Sequence, residues 1–245
     1  MGIAPKALVA STRAQLEGPA RNTSAVPLMA FKDTLEFLEE ELEEITGQEI
    51  KFPMDVEGAE YVFFPAVSDY LMEAETLMGN AAMLHVTNTS WTIGTANFDG
   101  IDYGLFYSDW MWERIIKAQI AEVKRLGGKK MLIGECGHAS RSAKAFIRTF
   151  CGGDKAPPVV NCMEYALEQL RSGKLKLEIV SHCWRYDHFL VYQLSSLVHY
   201  CTDKLDITMS VYYAAEDEAV AALLRFFEDI DVPGVTWNWV ELPKE

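Results

Sequence analysis

The chain has 245 residues, 49% of them hydrophobic, and a formal net charge of −14. That length and apolar content suit a packed core in one large or two small domains and exclude a disordered chain. With no surplus of Lys and Arg to neutralise phosphates, nucleic acid is excluded as a partner.

No apolar run approaches the length of a membrane span, and no charged-then-apolar signal segment opens the chain. The five cysteines, Cys136, Cys151, Cys162, Cys183 and Cys201, are odd in number and share no repeated spacing. They form no disulfide framework, and the expected compartment is the reducing cytoplasm.

In chain order, residues 1–32 read as a peripheral arm broken by Pro5, Gly18, Pro19 and Pro27, with one short helix around Lys6 to Leu16. Asp33 is expected to cap a helix with Leu35, Leu38, Leu42 and Ile45 on one side, ended by Gly47. The run Glu39-Glu40-Glu41 with Glu43-Glu44 is a solvated face of that helix. Tyr61 to Phe64 reads as a strand halted by Pro65, Ser68 to Thr87 as a helix, and Trp91 to Ile93 as a short strand. Trp110 to Leu126 is a helix stopped by Gly127-Gly128, Met131 to Ile133 a strand, and His138 to Phe150 a helix closed by Gly152-Gly153. Val159-Val160 is a short strand, and Met163 to Leu170 a helix with Gly173 as its stop. A second unit follows: strand Leu177 to Cys183, helix Asp187 to Tyr200, strand Ile207 to Tyr213, helix Glu216 to Ile230 and strand Val235 to Val240. In the last helix Val220, Leu223, Leu224 and Phe227 face inward. Strands alternating with helices predict an α/β fold with parallel sheets.

The most informative stretch is Gly134-Glu135-Cys136-Gly137-His138. It lies between a strand and a helix, at the sheet edge where open α/β folds place their chemistry. A helix N-terminus favours the thiolate form of Cys136, which suits a metal ligand, a redox thiol or a nucleophile. His138 can share a metal with Cys136 or take its proton, Glu135 can orient His138, and Arg141 can pair with an anionic ligand. Against each stands a plainer role: an inert cysteine, a capping imidazole, a solvated carboxylate and a surface ion pair. A thiol-nucleophile elbow of the G-x-C-x-G type is a third possibility, with His138 in place of its second glycine.

The strings "DTLEFLEEELEE", "EGAEYVFFPAVSDY", "SWTIGTANFDGIDYGLFYSD", "KKMLIGECGHASR" and "NCMEYALEQLRSGKLKL" resemble the CCG-domain iron–sulfur subunits of heterodisulfide-reductase type, including that of the membrane complex associated with dissimilatory sulfite reduction. The resemblance covers residues 33–176, with "GECGHA" its specific part. It implies a redox, electron-transfer subunit with a cysteine-bound iron–sulfur cluster and a partner redox subunit. The ligand set is incomplete here. Pro65-Ala66-Val67 stands where relatives carry a cysteine, the pair expected near Trp91 to Phe98 is absent, and there is no CC pair and no CxxC.

From Leu177 onward the strings "LEIVSHCWRYDHFLVYQLSSLVHY", "DITMSVYYAAEDEA" and "VPGVTWNWVELPKE" resemble the opening of a GT-A glycosyltransferase. That likeness implies a Rossmann-like βαβαβ unit over residues 177–245 that binds a nucleotide-sugar with a divalent metal. His182 to Arg185 and the pair Glu216 and Asp217 match its nucleotide-holding positions. The metal-binding DxD of that family does not occur before the chain stops. His182, Cys183 and His188 also have zinc-like spacing, although His182 and Cys183 alternate to opposite strand faces. Trp237 and Trp239 share a face and are expected in packing. The leading expectation is thus a redox subunit working through Cys136 and His138, against sugar transfer by the C-terminal unit or a scaffold without catalysis.

Overall fold

The structure is a computed structural model that describes residues 26–71, 73–100, 109–151, 156–183, 191–193, 195–196, 199, 207–214, 222, 224–225 and 234–242. It is α/β and divides into two compact units, residues 1–165 and 166–245. The division falls upstream of the boundary expected at Leu177.

The first described element of the first unit is α1 (Leu28–Thr46). Asp33, expected to cap this helix, lies inside it; the cap position is Pro27, with φ −61° and ψ 139°. The apolar stripe begins earlier than Leu35, because Phe31 belongs to it. Phe31 is fully buried and stacks on Phe98 with ring centroids 4.0 Å apart. Leu35, Leu38 and Leu42 continue the stripe, whereas Ile45, in the last turn, is 68% exposed. Gly47 ends the helix at φ 67°, a left-handed conformation that glycine adopts without a Cβ clash.

The strands of this unit are β1 (Tyr61–Phe64), β2 (Trp91–Thr92), β3 (Lys130–Ile133) and β4 (Val159–Asn161). Between them run α2 (Val67–Leu71), α3 (Ala74–Val86), α4 (Asp109–Arg125) and α5 (Gly137–Phe150), with α6 (Cys162–Arg171) after β4. The single helix expected over Ser68 to Thr87 is therefore two. The break falls at Glu73 (φ −131°, ψ 51°), whose N–H reaches back to the Ser68 carbonyl at 3.1 Å.

All four strands are parallel, in the order β2-β1-β3-β4. Every residue of β1 is buried, as a strand covered on both faces requires. Its side chains alternate. Tyr61 and Phe63 join Leu35, Leu38, Leu77, Leu84 and Tyr165 on one face. Val62 and Phe64 join Ile116, Ile120, Val123, Ala143 and Phe146 on the other. The sheet thus lies between α1, α3 and α6 on one side and α4 and α5 on the other.

A polar brace ties α4 to the segment before β1 and to the loop after β2. Glu122, 2% exposed, accepts from Arg125 at 2.8 and 2.7 Å and from the Ala96 N–H at 3.1 Å. Arg125 also pairs with Asp55, which accepts from the Thr95 N–H at 3.0 Å and the Thr95 hydroxyl at 2.5 Å. Burial opposes the Asp55 charge, yet the Thr95 and Arg125 bonds outweigh it and hold its carboxyl below the ordinary range.

The second unit contains β5 (Leu177–Cys183), β6 (Ile207–Ala214) and β7 (Val235–Leu242), parallel and with β6 in the centre. Among the described residues Met209, Val211 and Leu224 form a core cluster, with Ile179, Tyr213, Trp237 and Trp239 packed against it. The two tryptophans stack at 5.6 Å and 6°, as expected of packing residues. On the opposite face the Ser210 hydroxyl donates to Glu178 at 2.8 Å and accepts from Asn238 at 3.1 Å. No helix among the described residues is long and apolar enough to cross a membrane.

Candidate functional site

β1 and β3 are neighbours, although the chain visits β2 between them. The sheet therefore changes winding direction at β1/β3, and the crevice beyond the carboxyl ends of those two strands is where such folds bind ligands. Two elbows meet there. β1 leads through Pro65-Ala66 into α2, and β3 through Gly134-Glu135-Cys136 into α5. The Gly134 N–H donates to the Phe64 carbonyl at 3.1 Å. A Cβ on Gly134 would lie 3.2 Å from the Pro65 Cα, so glycine lets the elbows approach. At the end of β4 the Asn161 side-chain amide donates to the Gly134 carbonyl at 3.1 Å and pins the second elbow.

Cys136 is the N-cap residue of α5, with φ −60° and ψ 102°. Its carbonyl accepts the Ser140 N–H at 3.1 Å, and its side chain makes no capping bond. The thiol is half-buried and rests against the apolar cluster around Phe146. Glu135, His138 and Arg141 are exposed. The sequence-predicted residues Glu135, Cys136, His138 and Arg141 therefore gather at one elbow and the first turns of α5.

The other elbow adds residues that sequence reasoning missed. Asp69, fully buried in α2, accepts from the Ala66 N–H at 3.3 Å and the Ser68 hydroxyl at 3.4 Å. Burial first, and then the neighbouring Glu135 charge, push its carboxyl up to about 7, while those two hydrogen bonds act in the opposite direction. Asp69, Glu73 and Glu135 can each offer an oxygen with all three within 4.8 Å of one another. Oxygen donors of this kind suit a hard divalent cation. Cys162, at the start of α6, is 4% exposed; burial and then Glu135 push its thiol up to about 11, so it stays protonated near neutrality. The available signal for Asp69 and Glu73 was that Tyr61 to Phe64 also ends at a strand-to-helix elbow, like the strand before Cys136.

The described thiols of the first unit do not fit an iron–sulfur cluster. Cys136 and Cys151 stand at opposite ends of the 14-residue α5, roughly 20 Å apart at the helical rise. Cys162 is buried, protonated and faces carboxylate charge. A cluster needs several thiolates converging on one point. Nor do Cys136 and His138 belong to a group of three metal-ligating side chains among the described residues; the group found is Asp69, Glu73 and Glu135. In the second unit the backbone of His182 and Cys183 lies in β5. His188, Glu216 and Asp217 lie outside the described residues, as do Val220, Leu223 and Phe227.

A groove of about 580 Å³ runs along α5 from Gly137 past Ser140, Arg141 and Lys144 to Arg148, with Asn161 and Glu164 on its other side. Lys144 is held by Glu164 at 2.5 and 2.6 Å.

The chain matches no protein-family model, no curated protein and no solved structure.

Proposed function

We propose that the chain is a redox subunit of heterodisulfide-reductase type whose working group is the Cys136 thiol. The observation that supports this reading most is the position of Cys136: half-exposed and free of any capping bond, at the winding reversal of the parallel sheet. Cys136 is the N-cap residue of α5, next to the orphan N–H groups of that helix's first turn.

The step is thiol–disulfide exchange. The Cys136 sulfur attacks one sulfur of a bound disulfide and forms a new S–S bond. The old S–S bond breaks, and its second sulfur leaves as a thiolate with the bonding pair. Two electrons from a partner redox subunit then cleave the mixed disulfide into two thiolates and return Cys136 to its starting state. An iron–sulfur cluster in this system belongs to the partner or to an interface with it, since the described thiols here do not converge. In this reading His138, on the first turn of the same helix, delivers or accepts a proton at the leaving sulfur.

The test is reduction of a small-molecule disulfide by the purified chain, with reduced viologen as electron donor. Turnover that disappears in Cys136→Ser and falls in His138→Ala supports the reading. Equal turnover in Cys136→Ser overturns it.

Sugar transfer by the second unit has one observation in its favour, the parallel β5-β6-β7 order that a βαβαβ unit requires. Calorimetric titration of the full chain with a UDP-sugar and Mn²⁺ tests it, and no heat beyond dilution removes it.

A further inference from the structure

In a chain of net charge −14, the face of α5 along its groove carries three cations, Arg141, Lys144 and Arg148, on successive turns. Glu164, which also lines the groove, is already engaged: it holds Lys144 and accepts the Asn161 N–H at 3.0 Å. Arg141 and Arg148 have no ion pair or hydrogen bond among the described residues. They stand seven residues apart, two turns or roughly 10 Å along one helix face.

Surface cations are common, so the charge alone decides little. A second observation points the same way. Ser140 lines the groove and is 7% exposed, yet its hydroxyl makes no hydrogen bond among the described residues. The hydroxyl is not among the sealed, unpartnered polar atoms, so it opens into the groove, where it can donate to a ligand. Gly137 borders the groove at its upper end, where an added Cβ would meet nothing within 4 Å. α5 has no acidic residue in its first turn and no capping side chain, so its positive end is not neutralised from within the helix.

We propose that this groove binds the phosphate group of a small molecule. The Arg141 and Arg148 guanidinium groups supply forked donors, and the Ser140 hydroxyl supplies a third from the floor. Paired planar donors match phosphate oxygens, which makes arginine the usual residue for such recognition. The volume lies within the range of about 300–1,000 Å³ that small-molecule sites occupy. The site adjoins Cys136 but does not depend on its chemistry, so it stands or falls separately from the redox reading.

Isothermal titration of the intact chain at low ionic strength tests this, with inorganic phosphate in one arm and glycerol 3-phosphate in the other. The wild type binds at least one of them. Arg141→Gln and Arg148→Gln each weaken binding about tenfold or more, and Ser140→Ala weakens it several-fold. Cys136→Ser binds like wild type. So does Arg114→Gln, which removes the same charge from the arginine that lies over Trp110 on α4. Tighter binding of the ester assigns the groove to a phosphorylated metabolite, and equal or tighter binding of inorganic phosphate assigns it to the free anion. Absence of binding by the wild type overturns the proposal. So does an equal loss in Arg114→Gln, which would mean diffuse attraction instead of a site.

Discussion

Replacing Asp69 by asparagine isolates the electrostatics of the winding reversal. Asp69 is fully buried and its carboxyl titrates at about 7 in the folded chain, against 3.8 as the ordinary value. A raised carboxyl pKa means that the folded state holds a proton the unfolded state has released. The stability contributed by that proton is fully present below pH 3.8 and is lost as pH rises through about 7. The difference of about three pKa units corresponds to about 4 kcal/mol. The substituted amide carries no charge at any pH, and its oxygen can still accept the Ala66 N–H now held at 3.3 Å. Urea unfolding of both proteins at intervals from pH 4.5 to 8.5 reads the difference. Asp69→Asn gains on the wild type steadily with pH, by several kcal/mol at the upper end. Glu135→Gln shifts the same profile to lower pH, because it removes the larger of the two neighbouring charges, Glu135 and Glu73, that add to burial in raising the value. Parallel profiles for wild type and Asp69→Asn would refute the reasoning, since they would mean the buried carboxyl keeps its ordinary pKa.

Three further outcomes follow from the packing. Gly134→Val forces a Cβ toward the Pro65 Cα at 3.2 Å and costs about 1–3 kcal/mol of stability in urea unfolding, as overpacking does. Arg125→Ala leaves Glu122, 2% exposed, with only the Ala96 N–H as partner among the described residues; because the Arg125 side chain is 45% exposed, the cost is about 1–3 kcal/mol by the same measure. Cys162, 4% exposed with its thiol pushed up to about 11, escapes iodoacetamide at pH 8 in the native chain and reacts once urea unfolds it, as site-resolved mass spectrometry would show.

The fold was legible where burial writes a continuous signal. Tyr61-Val62-Phe63-Phe64 and Met131-Leu132-Ile133 are unbroken apolar runs because both faces of each strand are covered, and both emerged as parallel strands. The Cys136 elbow was legible because Gly134 and Gly137 flank it between a strand and an amphipathic helix. The rest depends on proximity that no local pattern carries. Asp69 looks like an ordinary acid in the first turn of a helix until β1 and β3 lie side by side and Glu135 arrives beside it. Cys162 reads as a core residue, and it is buried, but only the folded chain places it near the carboxylates. The start of α1 was missed because Phe31 finds its partner in Phe98, far along the sequence. The break at Glu73 was missed because every residue around it tolerates a helix.

The most direct measurement of the central claim is trapping a mixed disulfide. The reduced chain is mixed with hydroxyethyl disulfide, quenched with acid and digested, and each cysteine is read by mass spectrometry. The account predicts that the adduct forms first on Cys136, before Cys151 and Cys162. An unmodified Cys136 beside other modified cysteines would contradict it.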